Sequence, residues 1–194
     1  MLKLFKFLLV LIFIASFISC NKQNIVAINV PMYKQTFSVV PFDDNNMTVK
    51  SFISLNGFVA AAGDILDAFN QNGITATQST TDFGLAGSTL TTPGSSYGYN
   101  ALSYQYSSYG VSNWGTRRGG LFSVSSLKTS DFDTIVHIES ILKQAKSCSD
   151  EYVDLGNIPV FLFYADRGYG IGIVKSIDSW GNTTVELKYA LTNP

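Results

Sequence analysis

Histidine and arginine are almost missing from this chain. Its 194 residues include one histidine, His137, and three arginines, Arg117, Arg118 and Arg167. Counting alone excludes a metal centre of several imidazoles and any mechanism that needs two. Charge is scarce as well: 13 Lys and Arg stand against 14 Asp and Glu, a formal net charge of −1, and charged residues make up 14% of the chain. With no basic excess there is little to neutralise phosphates, which supply most of the affinity for nucleic acid, so nucleic acid drops out as a partner. A length of 194 residues leaves room for one domain at about 100–200 residues each.

What the chain does have begins at its N-terminus, MLKLFKFLLVLIFIASFISC. Lys3 and Lys6 form a short positive region, an apolar run follows from about Phe7 to Phe17, and small and polar residues lead to Cys20. That is the layout of a secretory signal, with an apolar core shorter than the ~20 residues a membrane-spanning helix needs. Phe17-Ile18-Ser19-Cys20 resembles the bacterial lipobox, in which cleavage precedes a cysteine that then carries lipid. The expectation is a signal peptide over 1–19, a lipidated Cys20 with a polar tether over 20–26, and a β-rich domain over 27–194. Removal of Lys3 and Lys6 leaves 11 basic against 14 acidic residues, a mature charge of −3, and the mean hydropathy of +0.17 owes much to the removed leader. Acyl chains add about 0.8 kcal/mol per buried methylene, so several of them anchor stably. Acylation of Cys20 would leave Cys148 as the single free thiol.

Along the remaining chain, β-branched runs punctuated by Pro31 and Pro41 predict strands over 25–31 and 35–40. Phe42-Asp43-Asp44-Asn45-Asn46 predicts a loop; it lacks the alternating ligands and closing Glu of a calcium site. Phe58, Ala62, Ile65, Leu66 and Phe69 recur at helical spacing, predicting a helix over 58–71, with Asp64 and Asp67 on its wet side. The best helical pattern is 129–146, where Phe132, Ile135, Val136, Ile138, Ile141, Leu142 and Ala145 make one broad face and Glu139 pairs with Lys143. Three β-rich runs, 158–165, 169–177 and 184–191, are separated by Asp166-Arg167-Gly168 and by 178–182, predicting antiparallel hairpins. Gly168, Gly170 and Gly172 do not make a phosphate loop, because a strand rather than a helix follows them. The fold class expected is mainly β with two helices, α+β, as an antiparallel, sandwich-like sheet ending in a three-stranded meander.

Catalytic sets are hard to assemble. Cys148 and His137 lie near the same predicted helix, and Asp150 and Glu151 beside the thiol disfavour its thiolate. No Gly-x-Ser-x-Gly elbow occurs, and Glu139, Glu151 and Glu186 are the only glutamates, none in a recognisable signature. Residues 84–120 are instead rich in Gly, Ser, Thr, Asn and Tyr. Leu102, Tyr104 and Tyr106 share a two-residue period, predicting one face of a strand. Tyr97, Tyr99, Tyr104, Tyr106, Tyr109 and Trp114 are the candidate ligand contacts, because tyrosine offers a flat apolar face and a hydroxyl at little entropic expense.

Two segments carry a family likeness. Thr80-Thr81-Asp82-Phe83-Gly84-Leu85-Ala86-Gly87-Ser88-Thr89 resembles a sequence block of the HmuY-like lipoproteins of Bacteroidetes. Residues 161–170 with Val174-Lys175-Ser176-Ile177 resemble that family's late hairpin. The resemblance implies a β-dominated fold and haem capture outside the cytoplasm, with iron held by two axial His or Met side chains. The histidine and mature methionines here are His137, Met32 and Met47; none aligns with a ligand position of the family, so no haem or metal ligand is carried over. The expectation is a non-enzymatic lipoprotein of the bacterial outer membrane, attached by its lipid and binding a small ligand or an envelope protein, without a cofactor. Haem binding and a structural role in a surface assembly are the alternatives.

Overall fold

The strand-forming stretches pair, in the computed structural model, into two five-stranded antiparallel sheets; residues 30–43, 45–65, 78–103 and 110–192 are described. The first sheet has the order β1-β10-β9-β8-β6, formed by Tyr33–Val39, Thr183–Leu191, Gly168–Ile177, Val160–Ala165 and Gly120–Val124. The second has the order β3-β2-β4-β5-β7, formed by Phe58–Ala60, Phe52–Ser54, Phe83–Ala86, Thr89–Thr91 and Tyr152–Asp154. The antiparallel, sandwich-like α+β architecture expected from the pattern of runs and turns is the one found. β8, β9 and β10 are successive antiparallel neighbours. Between the sheets lies one apolar core, with Phe37, Phe122, Phe161, Phe163, Val185 and Leu187 facing Ile53, Phe83, Leu85, Leu90 and Val153.

Strand alternation decides which residues enter that core. On β9, Tyr169, Ile171 and Ile173 face outward, so Gly170 and Gly172 face the other sheet. A Cβ at Gly172 would sit 2.3 Å from the Phe161 ring, and one at Gly170 would sit 2.9 Å from that of Phe163. These glycines are therefore the space into which the β8 rings lie. Phe163 in turn meets Phe83 of the opposite sheet edge to face, with centroids 5.1 Å apart.

The outer face of the first sheet is covered by α2 (Thr129–Phe132) and α3 (Glu139–Ala145). Here the long helix expected over 129–146 is broken. Thr134, Ile135 and Val136 are consecutive β-branched residues, which are poor helix formers. Lys188, buried on β10, donates to the carbonyls of Phe132, Asp133 and Ile135 at 2.7, 3.2 and 2.9 Å. An ammonium in that place takes the acceptors that a continuing helix would use. Val136 consequently points to solvent instead of the core, and Glu139 accepts from the Val30 amide at 3.0 Å instead of pairing with Lys143. Beside Lys188, Glu186 is flanked by Lys34 at 2.8 Å and Lys175 at 3.2 Å, a charge ladder across β1, β10 and β9.

The outer face of the second sheet carries a smaller cluster around Phe52, Leu102, Val111 and Trp114. The helix expected over 58–71 begins late: Phe58–Ala60 is β3, paired with β2, and helix occupies 62–65 before the described residues stop. The strand expected over 25–31 lies almost wholly outside the described residues, and Val30 and Pro31 are not in a strand.

A polar tie joins the sheets. Arg167, in the β8–β9 turn, reaches Asp82 at 3.3 Å, the Thr80 carbonyl at 3.0 Å and the Asn56 side chain. Asp82 has no exposure; its Oδ2 accepts from the Leu55 amide at 2.7 Å, and its Oδ1 has no partner among the described residues. Burial pushes its pKa up to about 6 against the pull of the Leu55 amide and Arg167. Burial likewise pushes the Tyr189 phenol up to about 12; its hydroxyl lies 2.7 Å from the Leu55 carbonyl and 2.9 Å from Gln35 Oε1.

The β9–β10 turn is the opposite case, a rigid tip in water. Asp178 Oδ1 accepts from the Trp180 and Asn182 amides at 2.8 and 2.9 Å, Oδ2 accepts from the Asn182 side chain at 2.7 Å, and Gly181 supplies a φ of 81°. The Asn182 side-chain bond holds the Asp178 pKa below its ordinary value. Trp180 is left 84% exposed on this tip.

Candidate functional site

One edge of the sandwich opens into a groove of about 930 Å³. It forms where β6, the last strand of the first sheet, meets β7, the last of the second. β6 and the segment that leads into β7 touch through an antiparallel bridge between Phe122 and Asp150, where the Ser149 and Asp150 amides both donate to the Phe122 carbonyl, at 3.1 and 3.0 Å. Two residues opposing one is a β-bulge, which bends the strand and increases its twist. The chain turns away into β7, and the space left beside it is the groove.

α1 (Ser96–Ala101) forms its remaining wall. The helix is fixed at its start by side chains: Ser95 Oγ accepts from the Gly98 amide at 2.9 Å, and Glu151 Oε2 accepts from the Tyr97 amide at 2.6 Å. Thr91 Oγ1 donates to the Glu151 carbonyl at 2.8 Å and so ties β5 to the same corner. The result is a stacked pair, Tyr97 on α1 and Tyr152 on β7, with ring centroids 4.3 Å apart and planes inclined by 29°. Tyr152 remains 46% exposed and Val124, at the other side, 61% exposed.

The polar lining is acidic. Asp150, Glu151 and Asp154 line the groove with Ser96, Ser123 and Ser149, and among the described residues no Lys, Arg or His does. Asp154 is committed to the loop that follows: it accepts from the side chains of Asn157 at 2.6 Å and Ser88 at 3.0 Å and from the Gly156 amide at 3.0 Å, which hold its pKa below the ordinary value. Asp150 is more available, its carboxylate touching only the neighbouring Ser149 hydroxyl at 3.4 Å among the described residues.

Of the candidate contacts, Tyr97 and Tyr99 are both on α1, and Leu102, expected on a strand face, is the residue that ends that helix. Tyr97 lines the groove; Tyr99 faces solvent with the Arg117 guanidinium 4.9 Å above its ring. Trp114 is not a surface residue: it is 3% exposed and packs on Phe52 at 5.1 Å, because the 3-10 turn at Val111–Asn113 folds it over the second sheet. Cys20, Tyr104, Tyr106 and Tyr109 lie outside the described residues. The sequence reading missed Tyr152, Asp150 and Val124 as site residues. The alternation in Asp150-Glu151-Tyr152-Val153-Asp154 was the available signal, since it sets Val153 in the core and Tyr152 outside.

Cys148 is a packing residue. Its thiol lies 3.4 Å from the Ser123 hydroxyl, and burial pushes its pKa up; the hydroxyl opposes this, while Asp150 adds to it. His137 sits on the exposed segment between α2 and α3, and Met32 packs into the cluster beneath those helices. Met47 is placed on the other side of the molecule, its carbonyl accepting from the Gly63 amide at 2.9 Å beside the Phe52 cluster. With two packed sheets between them, Met47 cannot share one iron with His137 or Met32. Among the described residues, no group of three or more His, Cys, Asp and Glu could hold a metal ion, and no helix is long and apolar enough to cross a membrane. No family model, curated protein or solved structure matches the chain.

Proposed function

We propose that this protein is a lipid-anchored component of the bacterial cell envelope, at the outer membrane, that binds a ligand or an envelope partner without chemically changing it. The groove between β6, β7 and α1 is its contact site. The observation that carries the reading is the stacked pair Tyr97 and Tyr152 at the mouth of a groove of about 930 Å³, flanked by an exposed valine and an uncommitted carboxylate. Rigid aromatic faces beside a few polar groups are what binding sites use, and they occur in concave places. Among the described residues the groove presents no activated nucleophile: burial pushes the Cys148 thiol pKa up, and no His lines the groove. The leader-like N-terminus and Cys20 support the envelope address.

The test has two arms. Mass spectrometry of the protein from its membrane fraction should find acylation at Cys20, and Cys20→Ser should release the protein from that fraction. A photoreactive residue at Tyr97 should give discrete crosslinks in intact cells, while the same group at Lys143 on α3, on the other side of the first sheet, should not. Equal labelling from both positions, or none from Tyr97, overturns the site.

A further inference from the structure

The groove is bounded by main chain as well as side chains, and strand alternation fixes which way that main chain faces. In β7 the Leu155 amide donates to the Ser88 carbonyl at 2.9 Å, and the register pairs Val153 with Leu90. Backbone groups of residues 153 and 155 thus point to β5. Those of Tyr152, and the amide of Asp154, point the opposite way, into the groove. The Asp154 carbonyl is taken by the Asn157 and Ile158 amides at 3.2 and 3.0 Å; the Tyr152 amide and carbonyl and the Asp154 amide have no partner among the described residues. Across the groove, Phe122 exchanges its bonds with Asp150, so Val124, two residues on, also turns its amide and carbonyl away from β8. Native sheets protect such edges with lysine, proline or a covering element, because an open edge pairs with whatever strand arrives. This edge carries instead an apolar valine, a tyrosine pair and acidic residues.

From this geometry we infer that the groove takes an extended peptide segment of a partner protein, added as a further strand on β7, with a lysine or arginine side chain received by Asp150 and Glu151. The inference rests on the groove being the contact site. Strand addition draws affinity from main-chain hydrogen bonds and specificity from the pockets between them. Charge complementarity selects the occupant: among the described residues three carboxylates and no cation line the groove, so a basic strand is favoured and an acidic one repelled. Tyr97 and Tyr152 supply the flat surface for the aliphatic stem of a long basic side chain, or for a guanidinium over the ring.

The probe is a fluorescein-labelled peptide, Thr-Lys-Val-Lys-Thr-Lys-Val, titrated by anisotropy into the full chain purified in detergent. Three comparison peptides carry Glu for Lys, or N-methyl groups on alternate amides in one phase or the other. The Lys peptide should bind saturably. Glu replacement, Asp150→Asn with Glu151→Gln, and one of the two methylation phases should each weaken it by about tenfold or more. In the complex, hydrogen exchange at the Tyr152 and Asp154 amides should slow by about tenfold or more while Val153 is unchanged, a readout that no folding defect produces. No saturable binding up to about 1 mM, equal binding of both methylated forms, or unprotected Tyr152 and Asp154 amides would overturn strand addition. Discrete photocrosslinks from Tyr97 in that event would leave the groove as a contact site for a different kind of partner.

Discussion

Lys188 and Asp82 are both buried in this sandwich, and they are treated differently. Lys188, under α2, has one carbonyl for each of its three N–H groups and the Phe132 ring 4.9 Å away. Asp82, at the seam between the sheets, has Oδ2 satisfied by an amide and Arg167 while Oδ1 has no partner among the described residues. Burial lowers the pKa of the lysine and raises that of the aspartate, each toward its neutral form. Equal burial therefore does not mean equal strain: what a buried charge needs is a partner for every hydrogen-bonding position. Lys188 organises the layer above it, whereas Asp82 holds the sheets together under tension that depends on pH.

Breaking the satisfied charge should have the largest effect. Lys188→Met keeps the length and removes the donor from three carbonyls; about 3 kcal/mol should be lost in urea unfolding. Amides in 129–145 should lose exchange protection while those of β4 and β5 keep theirs. An unchanged midpoint would show that the lysine follows the break between α2 and α3 and does not hold it.

Arg167→Leu comes next. It leaves the Asp82 carboxylate with the Leu55 amide alone, and about 2 kcal/mol should be lost near pH 7.5. The loss should shrink near pH 5, because a protonated Asp82 needs no cation. Equal losses at both pH values would mean that the guanidinium acts through Thr80 and Asn56 only.

The aspartate itself predicts a pH dependence. Its folded pKa of about 6 lies above the ordinary 3.8, so between these values the folded state holds a proton that the unfolded chain releases. Its contribution to stability is then full below about pH 4 and falls as pH rises through 6, by an amount of order 1–3 kcal/mol. The carboxylates whose pKa values are lowered, Asp154 and Asp178 among them, tilt the curve the other way at lower pH. The difference between wild type and Asp82→Asn isolates the effect, and a flat difference from pH 4 to 7 would remove Asp82 as the source. Least of all, Lys175→Met on the half-exposed charge ladder should change stability by under about 0.5 kcal/mol, and by less still in salt.

The sequence disclosed what local chemistry controls. β8, β9 and β10 were legible because alternating apolar residues and turn-forming Asp and Gly carry their own geometry, and their bounds agree within two residues. The break in the 129–146 helix was not, since half of its cause, Lys188, arrives from a strand more than fifty residues on. Tyr97 was marked as a contact, but its helix depends on a cap from Glu151, and its stacking partner Tyr152 is joined to it only by folding. Phe58–Ala60 shows the same override, helical spacing yielding to pairing with β2. Arg167 reads as a turn residue, and nothing local signals that it meets Asp82 across the sandwich.

The chain's two tryptophans occupy the extremes of environment the molecule offers, one sealed against Phe52 and one standing on the tip of a braced hairpin. Their fluorescence separates accordingly. Iodide should quench Trp180 and spare Trp114, and denaturation should shift the colour of Trp114 alone. Anything that lands on the hairpin will dim or brighten Trp180 without disturbing its twin. The native protein thus carries two optical channels, one watching the interior and the other watching for visitors.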